Sequence, residues 1–173
     1  MRYGLMSNIR RSWSKKGERT VYQNQQEYAN RYLYSAIDPM TGVSFHLSGV
    51  DDTTTALTHL FLSQLQLAFP HEHLVIVWDN APFHKSKRLY RNHMSIIPLP
   101  PYSPQLNPVE RFFGEARKHT ANVLFKEGIE ALEQRVDCGV VQLQRDLKAM
   151  KRLTGYAWIH EQWDRIGWFY ETV

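Results

Sequence analysis

His73-Leu74-Val75-Ile76-Val77-Trp78-Asp79 is the stretch on which the fold turns. An unbroken apolar run rich in β-branched residues, set just after Pro70, predicts a central strand over 73–78 buried on both faces. Asp79 ends the run. A carboxylate there lies at the rim of a sheet, held by a rigid element and open to a cleft. The plainer reading is that Asp79-Asn80 opens a turn, and position alone does not choose between the two.

Upstream, residues 1–30 read as polar and irregular, with Gly4, Gly17 and a Gln/Asn patch at Gln23 to Gln26. Arg31 to Ile37 and Val43 to Val50 predict two strands joined by the tight turn Asp38-Pro39-Met40-Thr41-Gly42. Asp52 is the expected cap of a helix running to Phe69, because Leu57, Leu60, Phe61, Leu65 and Ala68 fall on one face. Downstream, Ser86 to Asn92 suggests a short basic helix and Ser95 to Leu99 another strand. Pro98, Pro100, Pro101 and Pro104 then force an extended connector.

A helix start follows the prolines. Asn107 suits the N-cap and Pro108 the first helical position, and Val109, Phe112, Phe113, Ala116, Thr120, Val123 and Leu124 make an apolar stripe. Glu110 stands about 95° from the centre of that stripe, at its edge. From there it can return to the Asn107 backbone as a capping-box glutamate, or face a cleft. A further helix is expected from Glu130 to Leu153, weakened by Gly139. Trp158, Trp163 and Trp168 recur every five residues, which matches no helical face and reads as packing against the domain. Hairpin, helix, buried strand, short helix, strand and long helices imply one α/β domain, a mixed sheet with helices against it.

Composition narrows the class. With 43% hydrophobic and 22% charged residues the chain can enclose a core. Its single cysteine, Cys138, precludes an internal disulfide and a cysteine-based zinc site, which suits a reduced cytosolic setting. No apolar run is long enough to span a bilayer. Residues 1–35 carry seven Lys or Arg against two Glu, interleaved with Tyr3, Trp13, Tyr22, Tyr28, Tyr32 and Tyr34. Such an arm suits a phosphate backbone and stacked bases, though charge alone favours a plain solvated surface.

Between Asp79 and Glu110 there is no acid, whereas Lys85, Lys87, Arg88 and Arg91 supply four positive charges. Carboxylates flanked by cations suit a place where metal ions meet a polyanion, and hard oxygen ligands favour Mg²⁺ or Mn²⁺ over zinc. His71, His73, His84 and His93 are too scattered to make a histidine metal site.

Val77-Trp78-Asp79-Asn80-Ala81-Pro82-Phe83-His84-Lys85-Ser86 and Pro100-Pro101-Tyr102-Ser103-Pro104-Gln105-Leu106-Asn107-Pro108-Val109-Glu110-Arg111-Phe112 closely resemble the mariner-like superfamily of DDE transposases, in its bacterial insertion-sequence branch. Trp13-Ser14-Lys15-Lys16-Gly17 resembles a segment early in that catalytic domain, so the likeness spans residues 2 to 125. The resemblance implies an RNase H-like fold, Asp79 and Glu110 as second and third catalytic acids, and two Mg²⁺ or Mn²⁺ ions in the complete site. It also implies DNA as partner, both transposon ends and target, with cleavage and strand transfer by a homodimer and insertion at TA. Asn80, His84 and Asn107 are expected beside the site, the first two with turn and packing as their plain alternative. Lys15, Lys16, Lys85, Lys87, Arg88 and Arg111 are candidate DNA contacts. A bacterial, cytoplasmic and nucleoid-associated location follows.

The chain departs from that pattern at one end. The family's first aspartate directly precedes a segment like Arg2-Tyr3-Gly4-Leu5, and this chain begins at Met1. Asp38, Asp51 and Asp52 each have another expected job, in the hairpin turn or before the helix. The expectation is therefore a single catalytic domain over 1–173 without its first strand or the helix-turn-helix region, inactive or incomplete alone. The alternative is a non-catalytic DNA-binding or inhibitory fragment.

Overall fold

The computed structural model describes residues 1–11, 13–79 and 93–162. Strands β1 (Arg2–Gly4), β2 (Asn30–Ile37) and β3 (Ser44–Val50) form an antiparallel sheet in that order. The first is a correction to the irregular chain expected over 1–30. Tyr3 and Leu5 are buried and β1 pairs with Asn30 to Tyr32, but three residues are too short to show alternation. Met1 extends the ladder, with its amine donating to the Leu33 carbonyl (2.5 Å) and its own carbonyl accepting from Leu33 N–H (2.8 Å).

The expected hairpin between β2 and β3 is present. The Asp38 carboxylate accepts from Met40 N–H (2.8 Å) and from the Thr41 hydroxyl, and Gly42 takes φ +81°, the left-handed region that only glycine enters freely.

Helix α1 (Thr55–Ala68) is capped by Thr54, whose hydroxyl accepts from Leu57 N–H (3.2 Å). This replaces the expected Asp52 cap, because Asp52 spends its carboxylate on Thr53 N–H (2.6 Å) outside the helix. Strands β4 (Leu74–Trp78) and β5 (Met94–Pro98) form a separate parallel pair with Leu74 opposite Met94 and Trp78 opposite Pro98.

One helix binds the two sheets together. Phe61, Leu62 and Leu65 of α1 pack against Tyr34, Ala36, Phe45 and Leu47 of β2 and β3 and against Leu74, Ile76 and Trp78 of β4. The other face of β4 is open, Val75 being 58% and Val77 48% exposed. The strand buried on both faces is thus corrected to one with a single covered face. An all-apolar run of five residues reads the same in either case.

The opposite face of β2 seats α2 (Val109–Lys118), α3 (Ile129–Arg145) and α4 (Leu147–Thr154). Leu33, Phe112, Leu132, Val136 and Met150 are almost completely buried there. Three corrections fall in this layer. The stripe from Val109 to Leu124 ends as helix at Lys118, since Asn122 turns left-handed (φ 58°) and accepts from Arg10 N–H (2.8 Å). The single helix over Glu130 to Leu153 is two, because Asp146 leaves helical geometry and caps α4 by accepting from Ala149 N–H (2.8 Å). Gly139 does not interrupt α3; the His119 ring lies 2.7 Å from where a Cβ would stand. The short helix expected over Ser86 to Asn92 and the tryptophans at 163 and 168 lie outside the described residues.

His46 on β3 stacks on Phe112 (ring centroids 4.7 Å, 16° between planes), with its nitrogens against the Ser35 and Ser44 hydroxyls (2.9 and 3.0 Å). Burial pushes its pKa down from 6.5 to about 4. The folded state therefore binds the proton more weakly than the unfolded chain. Its stabilising effect is complete above pH 6.5 and is lost as pH falls towards 4, by at most about 3 kcal/mol. Urea midpoints between pH 7 and pH 4 should fall more steeply for the natural chain than for His46→Gln; superimposable curves would contradict this assignment.

Candidate functional site

Asp79 is the first residue beyond β4, where the strand is anchored by Leu99 N–H donating to the Trp78 carbonyl (2.8 Å). Its side chain is exposed. Glu110 lies in the first turn of α2 and is exposed as well. A turn and a capping box were the plain alternatives. The second fails on geometry, because the Asn107 N–H it would need donates to the Pro104 carbonyl (3.0 Å) at the end of the single 3-10 turn Pro104–Leu106. Asn107 itself does helix-end work. Its side-chain oxygen accepts from Val109 N–H (3.3 Å) and its carbonyl from Glu110 N–H (3.1 Å), while Pro108 already has helical dihedrals.

The charges of both acids are felt at the start of β1. The Met1 amine is pulled from 8.0 down to about 6, first by burial. The charge of Glu110 opposes the fall, that of Arg117 adds to it, and that of Asp79 opposes it again. The end of β4 and the first turn of α2 therefore both lie within electrostatic reach of the beginning of β1. Arg117 escaped the sequence reading, although its spacing was a signal. It stands seven residues after Glu110, two helical turns along the same face.

The remaining candidates divide. Lys15 and Lys16 are exposed in the long connection between β1 and β2. Arg111 is exposed but engaged: its guanidinium lies 4.0 Å over the Tyr156 ring and Nη1 donates to the Leu153 carbonyl (3.4 Å). Asn80, His84, Lys85, Lys87 and Arg88 lie outside the described residues. Asp51 pairs with Arg31 (2.8 Å), and Asp38 and Asp52 are used in their turns, so none of the three joins Asp79 and Glu110. Among the described residues no three His, Cys, Asp or Glu side chains are grouped closely enough to hold a metal ion. Two exposed carboxylates on rigid element ends nevertheless suit a hard divalent cation.

No helix among the described residues is long and apolar enough to cross a membrane. A family model described as DDE superfamily endonuclease matches residues 2–132. A search of curated proteins gives no match. Among solved structures the chain is similar to the Mos1 strand transfer complex (TM-score 0.56, 16% identity), covering 90% of this chain and 53% of that one. A Mos1 mariner paired end complex with Mn is similar too (TM-score 0.52, 17% identity, 90% and 54% covered). The fold is thus RNase H-like, although among the described residues the single mixed sheet expected from the sequence is an antiparallel three-stranded sheet and a separate parallel pair, both flanked by helices. The chain spans about half the length of these neighbours.

This electrostatic reach has a direct readout. In residues 1–173 the Met1 amine should titrate near 6, and Glu110→Gln should lower that value further by removing a favourable charge. Acylation rate of the amine against pH measures both. An unchanged or raised value in the variant would show that Glu110 does not face this point.

Proposed function

The chain belongs to the DDE superfamily endonucleases, and on that premise we propose that it is the catalytic domain of a DNA transposase with Asp79 and Glu110 as two of its metal-holding carboxylates. What supports this reading is that Asp79 and Glu110, both exposed at the ends of rigid elements, each act electrostatically on the start of β1. In it, Mg²⁺ or Mn²⁺, two ions in a complete site, would activate water or a 3′-hydroxyl for in-line attack on phosphorus and offset charge on the leaving oxygen.

The chain's own residues do the rest. Asp79 and Glu110 present negative oxygen from rigid ends, which limits how far the donors can drift. Arg117, on the Glu110 face of α2, offsets phosphate charge beside them. Arg111 and the exposed Lys15 and Lys16 contact the backbone of transposon ends and target, joined by Lys85, Lys87 and Arg88. Asn80 and His84 are assigned to the same site by the motif they belong to, and Asn107 holds the helix end from which Glu110 projects. The protein acts as a homodimer on bacterial DNA, in the cytoplasm with the nucleoid.

The site needs a third carboxylate that the described residues do not bring to Asp79 and Glu110. That deficit favours a second reading, in which residues 1–173 alone bind DNA and interfere with a complete enzyme instead of cutting.

The two readings separate in one assay. Residues 1–173 should bind terminal-repeat DNA in a salt-sensitive way and show no Mg²⁺-dependent nicking. A longer chain that supplies a third acid should nick, and lose about a thousandfold or more with Asp79→Asn or Glu110→Gln, the scale of losing a principal electrostatic stabiliser. Nicking by residues 1–173 that Asp79→Asn abolishes would overturn the incomplete-site proposal. Nicking by the longer chain indifferent to both variants would overturn the role given to the two acids.

A further inference from the structure

Residues 147–160 lie beyond the family match and contain no acid, while Lys148, Lys151 and Arg152 make them basic. Lys151 and Arg152 are exposed in the last turn of α4. Just past it, the Tyr156 and Trp158 rings stack with 15° between planes and centroids 6.0 Å apart. Arg111, the neighbour of Glu110 on α2, lays its guanidinium on Tyr156. A cation and an indole thus both lie against the Tyr156 ring, and the Trp158 side of the cluster is 45% exposed.

We propose that the Arg111–Tyr156–Trp158 stack is a platform for an unpaired nucleobase next to the carboxylate site. The proposal rests on the DNA reading above and adds to it the place where one base is held.

The chemistry favours a nucleotide. A half-exposed indole stacked on a cation-bearing phenol ring, with Lys151 and Arg152 exposed in the helix turn just before it, suits a flat, polarisable group that carries a phosphate. A base inside a duplex is already stacked on both sides, so only a frayed, flipped or overhanging base can lie on Trp158. Fastening α4 to α2 accounts for the Arg111 contact with Tyr156, since that pair and the Leu153 carbonyl close the gap. It does not account for a second aromatic ring laid nearly parallel to the first and left 45% exposed. Every base has a π-face, so the platform holds one base without reading its identity.

The test uses residues 1–173 and two duplexes of equal length, one blunt and one carrying a three-nucleotide overhang with 2-aminopurine as its first unpaired base. The natural chain should quench 2-aminopurine on binding and prefer the overhang. Trp158→Ala should cost about five- to a hundredfold in affinity for the overhang while leaving the blunt duplex unchanged, and Trp158→Phe should recover most of the loss. Bright 2-aminopurine in the bound natural chain, or equal affinity for the two duplexes, overturns the platform while leaving DNA binding intact. Equal losses on both duplexes in Trp158→Ala also overturn it, as a fold effect. Failure to bind either duplex overturns the DNA reading and the platform together. Quenching is read on the natural chain, so it stands even if a variant does not fold.

Discussion

Everything at the candidate site depends on how Phe112 is seated. Its ring is fully buried, stacked on His46 of β3 and tilted against Phe113 (5.9 Å, 54°). A helix turns by about 100° per residue, so driving Phe112 into the sheet turns Glu110, two residues earlier, away from the core. The acid is exposed because the phenyl ring is not. His46 must stay neutral to serve as the other half of that seat, and burial keeps it so, while two serine hydroxyls hold its ring in place.

The partner acid is set by a different device. β4 is bonded to β5 on one side and packed by α1 beneath, so Asp79, the residue just past it, projects from a fixed edge. Because α1 also packs on β2 and β3, the two sheets share one apolar layer. The alignment of Asp79 with the start of β1 therefore rests on packing rather than on strand pairing. Truncating Phe61 or Leu62 would loosen both sheets at once, whereas a change at Val75 or Val77 would touch only an open face.

Much of this was legible in the sequence. The hairpin at Asp38 to Gly42, the end of the strand at Asp79 and the helix start near Asn107 all rest on local chemistry: a turn carboxylate, a β-branched run, a cap followed by proline. What was not legible depended on distant partners. The apolar run at 74–78 cannot report which of its faces is covered. The helical period from 130 to 153 continues smoothly, and only the capture of Ala149 N–H by Asp146 divides it. The cap at Thr54 competed with an equally good candidate two residues earlier. For the site, motif resemblance supplied Asp79 and Glu110, and their nearness to the start of β1 came only from the fold. Arg117 was visible in principle by its spacing and was passed over for the nearer Arg111.

The central claim is that Asp79 and Glu110 form one cation-binding place. Mn²⁺ titration of isotopically labelled residues 1–173, read as paramagnetic broadening of backbone amides, tests it most directly. Broadening should appear together around Asp79, around Glu110 and at the start of β1, and Asp79→Asn or Glu110→Gln should weaken all three. Broadening at one acid without the other, or centred elsewhere and indifferent to both variants, would contradict it.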